Sequence, residues 1–150
     1  MDRTGEPECL KDRAKELRVL PFSYEIDTKI GVAKLTGWGV VTDEDLSGLV
    51  NDIWGDSDWR IDLPTLTDFS SATAMEFTPD GIRSVFDLLV SKQDGTSRDG
   101  IKSAVVVTET GQKYLAKMGQ AMASGMPDMP DIQLFSSVNE AWDWLGLPEA

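Results

Sequence analysis

Histidine is absent from this chain of 150 residues, and cysteine occurs only once, at Cys9. Without an imidazole the commonest general base and nitrogen ligand is missing, and neither a Ser-His-Asp nor a Cys-His arrangement can be assembled. A single thiol cannot close an intramolecular disulfide, which suits a reducing compartment. Cys9 has no base or helix start assigned beside it, so it is not read as a nucleophile. Long apolar runs are lacking as well. No stretch approaches the ~20 residues that a membrane span needs, and residues 1–21 contain no uncharged run long enough for a signal-peptide core. The expected location is cytoplasmic. Positive charge is also scarce: 14 Lys and Arg stand against 26 Asp and Glu, for a net charge of −12. Nucleic acid and anionic membrane surfaces would both be approached against repulsion. A partner with a basic face would not.

What is present is an ordinary globular composition, 41% hydrophobic and 27% charged, at a length that suits one domain. Residues 1–21 balance Asp2, Glu6, Glu8, Asp12 and Glu16 against Arg3, Lys11, Arg13, Lys15 and Arg18, so the whole excess of acid belongs to the remainder. This first stretch is expected to be a weakly ordered extension or a short helix bearing Leu10, Ala14 and Leu17. A single domain over residues 22–150 follows.

Tyr24, Ile26 and Thr28 alternate with acids, and Ile30–Thr36 continues after a turn near Lys29–Gly31, which predicts an antiparallel hairpin closed by Gly37-Trp38-Gly39. Thr42 caps a helix with Leu46, Leu49, Val50, Ile53 and Trp54 on its inner stripe. A third strand is expected around Ile61–Phe69, with Pro64 near its beginning. Thr78 and Pro79 open a second helix carrying Ile82, Val85, Phe86, Leu89 and Val90. Lys92–Gly100 reads as a surface loop and Ile101–Thr108 as a strand covered on both faces. A third helix from Thr110 is expected to turn Leu115, Met118, Ala121 and Met122 inward. The last strand is Ile132–Phe135, and Ser137 caps a closing helix with Ala141, Trp142 and Leu145. The order is β-β-α-β-α-β-α-β-α: an α/β fold with a small mixed sheet, the hairpin antiparallel and the later strands parallel through right-handed crossovers.

The most chemically suggestive stretch is Leu63–Arg83, read as a strand ending in a polar loop that feeds a capped helix. Asp68, Ser70, Ser71, Thr73, Glu76, Phe77 and Thr78 are its candidate binding residues, with turn stabilisation as the plainer account of the hydroxyls. Gly37-x-Gly39-x-x-Thr42 superficially matches a dinucleotide fingerprint. It lacks the third glycine, follows a hairpin strand, and sets Asp43, Glu44 and Asp45 against a pyrophosphate. The acidic pairs Asp56/Asp58 and Glu76/Asp80 lack EF-hand spacing. No metal or cofactor is expected. Trp59 and Trp144 fall off the core stripes and are candidates for an interface. Met118, Met122, Met126 and Met129 are either core filling or an adaptable surface.

The order of elements, Asp68-Phe69-Ser70 at the end of the third strand, Leu35-Thr36-Gly37, Thr42-Asp43-Glu44-Asp45-Leu46, and the closing Leu134-Phe135, Ala141-Trp142 and Leu145 together resemble the STAS superfamily. Stand-alone SpoIIAA-like bacterial proteins, similar to the sporulation anti-sigma-factor antagonist, are the nearer resemblance, over about residues 22–147. It implies a small mixed sheet with helices against it and a non-enzymatic regulatory or binding role. A related lipid-carrier fold encloses a hydrophobic ligand with a similar sheet. Regulated antagonists carry Asp-Ser-Ser-Gly-Leu at the start of the second helix. Here that stretch is Glu76–Ile82, and the phosphorylated serine has no counterpart. The expected function is thus docking of a protein partner, or self-association, through the loop and helix start after the third strand. The alternative is a carrier or sensor of a small apolar or lipid ligand between sheet and helices. An acid-catalysed hydrolase is disfavoured because no base is positioned.

Overall fold

Residues 21–147 are described by the computed structural model; the expected N-terminal extension, up to Leu20, lies outside the described residues. Strand β1 (Phe22–Asp27) pairs antiparallel with β2 (Val32–Thr42), Phe22 opposite Gly37 and Asp27 opposite Val32. The turn between them forms because Asp27 Oδ1 accepts from the amides of Lys29 and Ile30, both at 3.0 Å, while Gly31 takes a φ of +84°.

The expected close of the hairpin at Gly37-Trp38-Gly39 is not observed, since β2 runs through both glycines to Thr42. Packing explains Gly37: a Cβ there would lie 3.0 Å from Phe22 Cε1 and 3.1 Å from Phe69 Cδ1. Gly39 has a φ of +67°, and the register with the next strand slips between Gly39 and Val40, as a bulge requires. The glycines punctuate the strand without ending it.

Helix α1 (Asp43–Trp54) begins at a capping box in which Thr42 Oγ1 accepts from Asp45 N at 3.2 Å and Asp45 Oδ2 accepts from Thr42 N at 2.9 Å. Strand β3 (Thr65–Glu76) starts just after Pro64, later than expected, and is 12 residues long. Helix α2 (Pro79–Ser91) leads to β4 (Lys102–Val106), α3 (Thr110–Ser124), β5 (Asp131–Phe135) and α4 (Val138–Leu145). The expected order of elements is the one observed. The sheet runs β1-β2-β3-β4-β5, with every pair after the hairpin parallel.

That strand order, combined with a single crossover hand, carries α1, α2 and α3 over the same face of the sheet. Among the described residues α4 is followed by no strand, and it packs on the other face. Two cores result. Phe22, Val41, Leu49, Ile53, Phe69, Ala72 and Val107 form the first. Val32, Leu66, Ala104 and Val106 meet Ala141, Trp142 and Leu145 of α4 in the second.

The inner face of α3 matches expectation at Leu115, which lines the space beneath the helix, and differs elsewhere. Gln112, Ala116, Gly119 and Ala123 turn inward, and Ala121 is exposed. The stripe has helical spacing but is built of small residues and one amide, so a search for large apolar side chains picks a neighbouring face. Trp59 and Trp144 are both half-buried: Trp59 packs on Trp54 with ring centroids 4.6 Å apart, and Trp144 on Phe135 at 5.5 Å. Of the methionines, Met129 is in the core.

Candidate functional site

The polar stretch after Asp68 is strand, not loop. Because β2 continues to Thr42, β3 has a ladder partner all the way: Trp38 pairs with Ser71, Val40 with Ala74 and Thr42 with Glu76. Phe69 and Ala72 point into the first core while Ser70, Ser71 and Thr73 face solvent. Among the described residues, β3 is paired on its other side only from Thr65 to Asp68, where β4 ends. Beyond that point its backbone forms a sheet edge, one carbonyl of which, at Ala72, accepts from the buried Gln112 Nε2 at 2.8 Å.

The expected site residues are therefore strung out. Asp68 is half-buried and its Oδ1 accepts from Ser70 N at 2.8 Å. Glu76 is exposed at the far end of the strand, about 26 Å further on at strand rise. Thr78 is exposed and caps α2, its Oγ1 accepting from Gly81 N at 2.9 Å, an interaction worth about 1 kcal/mol. Asp43 Oδ2, from the first turn of α1, accepts from Thr78 N at 3.2 Å and from its hydroxyl at 3.3 Å, tying the two helix starts together. Phe77 alone turns inward, edge-on to Phe69 with centroids 6.3 Å apart. No single pocket gathers the seven.

Between the sheet and the three helices lies a cavity of about 210 Å³. Leu35, Phe69 and Val105 supply its floor, Leu49 and Ile53 of α1 and Phe86 of α2 its roof, and Phe77 part of its wall. Gly119 of α3 also lines it, and a Cβ there would have nothing nearer than Phe86 Cζ at 3.8 Å. Leu115 lines it as expected, and the small Ala116 and Gly119 beside it leave space that larger side chains would fill. An engineered apolar cavity of about 150 Å³ accepts benzene, so this one has room for a somewhat larger body.

The few polar groups in the wall are mostly paired with one another. Thr65 Oγ1 donates to Ser103 Oγ at 2.9 Å, and Gln120 Nε2 to the Ile132 carbonyl at 2.6 Å. Arg98 is the charged group among them. It is only 3% exposed and lines the cavity. Its Nη1 donates to the carbonyls of Ile61 at 2.8 Å and Leu63 at 3.0 Å, and its Cζ stands 5.2 Å from the centroid of the Trp59 ring. A guanidinium has five N–H groups. Those two bonds, both from Nη1, are its hydrogen bonds among the described residues, and it forms no ion pair there. Burial lowers its pKa to about 10, with the charge of Asp62 working the other way, so Arg98 remains cationic at neutral pH.

Sequence reasoning placed Arg98 in a surface loop. Its neighbours Ser97 and Asp99 are exposed, and no pattern in Lys92–Gly100 separates it from them. Gln93 of the same run is also buried, its Nε2 donating to the Asp128 carbonyl at 2.9 Å. The acid pair Asp56/Asp58 organises its own loop, Asp56 accepting from Asp58 N at 2.8 Å and from the Tyr24 hydroxyl at 2.9 Å. Among the described residues no helix is long and apolar enough to cross a membrane.

No family model and no curated protein matches the chain. Among solved structures it is similar to an uncharacterized protein of the DUF3478 family from Shewanella loihica PV-4, described as having a SpoIIAA-like fold. The TM-score is 0.54 at 13% identity, covering 85% of this chain and 96% of that one. At that identity the likeness establishes the fold: a SpoIIAA-like α/β domain with a five-stranded mixed sheet and four helices.

Proposed function

We propose that this chain is a non-enzymatic binding domain that holds a small apolar ligand between its sheet and helices α1–α3. The cavity of about 210 Å³ carries the reading. Interiors are normally packed without voids of this size, and a mostly apolar wall with a few polar groups is the usual make-up of a small-molecule site. A cytoplasmic location is the companion proposal, resting on the lone cysteine. Native mass spectrometry of freshly purified protein, set against a denatured run, is expected to show a small adduct that denaturation removes. A native mass equal to that of the bare chain, from protein that also takes up no added apolar ligand, would sink the proposal.

A second reading is docking of a protein partner, or of a second copy, along Asp68, Ser70, Ser71, Thr73, Glu76 and Thr78. What favours it is the edge that β3 presents beyond Asp68 among the described residues, with Val40 of the neighbouring strand 49% exposed. An extended row of this kind suits an extended peptide better than a compact epitope. Charge reversal at Asp68 and Glu76 together is expected to release any co-purifying protein. Retention of every such protein by the double variant would end this reading.

A further inference from the structure

Burying a guanidinium without a counter-charge is costly, and the two carbonyls that Arg98 satisfies could be met by a neutral donor. Asp62, the acid whose field it feels, is exposed and engaged with Arg60 at 3.3 Å. The same corner holds an unmet donor: the indole Nε1 of Trp59 is buried with no acceptor among the described residues. Buried donors are nearly always paired, so this one, beside a guanidinium whose Nε and Nη2 make no hydrogen bond among the described residues, calls for an acceptor from outside the chain. The remaining wall is aliphatic and aromatic. Those features describe the complement of an amphiphile with an anionic head and a short apolar body.

We infer that Arg98 reads the head of the ligand, so that the cavity takes a small monocarboxylic acid in preference to a neutral apolar molecule of the same length. This rests on the cavity being a ligand site, as proposed above. The chain's net charge of −12 opposes an incoming anion, but charges further than about 8–10 Å are largely screened at physiological salt. A contact with a desolvated guanidinium is not screened in that way, and a charge-assisted, bidentate bond is among the strongest available. The local term decides.

The test uses the full chain and two probes of equal length, octanoate and octanol, with Trp54 and Trp59, both in the cavity wall, as fluorescent reporters. Octanoate is expected to bind at least about tenfold more tightly than octanol. Arg98→Gln is expected to remove that preference, octanoate losing at least about tenfold more affinity than octanol, and Arg98→Lys to keep part of it. Equal binding of acid and alcohol by the native protein overturns the inference and leaves the cavity reading standing. A preference that persists undiminished in a folded Arg98→Gln variant overturns it too. If Arg98→Gln fails to fold, the native comparison and the Arg98→Lys variant decide between these outcomes. Binding of neither probe removes the cavity reading and this inference with it.

Discussion

Truncating Trp142 to alanine is expected to cost about 3–5 kcal/mol of folding stability, the range for removing a large aromatic from a core. Among the described residues, helix α4 supplies the buried side chains that cover the second face of the sheet, with Val138, Trp144 and Leu147 beside them. Helix α4 is 8 residues long, and its three inward residues, Ala141, Trp142 and Leu145, pack on Val32, Leu66, Ala104 and Val106. Ala104 has no bulk with which to fill a void, and Val32 and Val106 are held in the strands. The site therefore relaxes poorly, which favours the upper part of the range. Against a total of about 5–15 kcal/mol for a typical domain, the loss is a large fraction. Urea unfolding should show the midpoint falling with little change in slope. A shift below about 1 kcal/mol would mean that α4 contributes little to this core.

Gly119→Leu is expected to weaken octanoate binding by well over tenfold while leaving the protein folded. Gly119 faces the cavity from the interior of α3, and open contact distances of 3.8 Å and 3.9 Å to Phe86 and Ile82 would greet a new Cβ. A leucine would occupy space that a ligand uses. Stability is pulled two ways: replacing a helical glycine gains about 1 kcal/mol, and overpacking costs about 1–3 kcal/mol where the void cannot take the side chain. Gly119→Ala separates these terms. It is expected to melt higher than the native protein, since a methyl fits without displacement. Fluorescence titration of both variants checks the ligand, and thermal unfolding checks the fold. Undiminished binding by a folded Gly119→Leu variant would place the ligand elsewhere.

The parts of this fold legible in the sequence were those governed by local chemistry. The capping hydroxyls of Thr42, Thr78 and Ser137 stand where expected and accept from the residue three positions on. The stripe Leu49, Val50 and Ile53 is buried as its spacing implies. What was not legible depended on partners far along the chain. Gly37 looks like a strand end until Phe22 and Phe69 are known to crowd it. Asp68–Glu76 looks like a loop until β2 is known to run beside it. Gln112 and Gly119 give no hydrophobic signal, yet both are buried, Gln112 against the Ala72 carbonyl and Gly119 on the cavity. Arg98 lies among exposed neighbours, and its burial follows from the carbonyls of Ile61 and Leu63 folding back over it. Of the seven expected binding residues only Phe77 lines the cavity, whereas Leu49, Ile53, Val85 and Phe86, expected on inward helix stripes, line it too.

The order of strands in the sheet is also their order in the chain, and this sets a timetable for synthesis. Each strand finds its neighbour already made, so the first layer can grow by accretion, one strand and one helix at a time, without waiting for a distant segment. The second layer has no such advantage. Val32 emerges early, and its cover, Trp142, emerges 110 residues later, an interval of roughly 5–20 s at ordinary elongation rates. Throughout that interval a row of valine, leucine and alanine side chains along the growing sheet stays wet. The nascent chain is thus most open to chaperones, and to mispairing, until its last helix arrives.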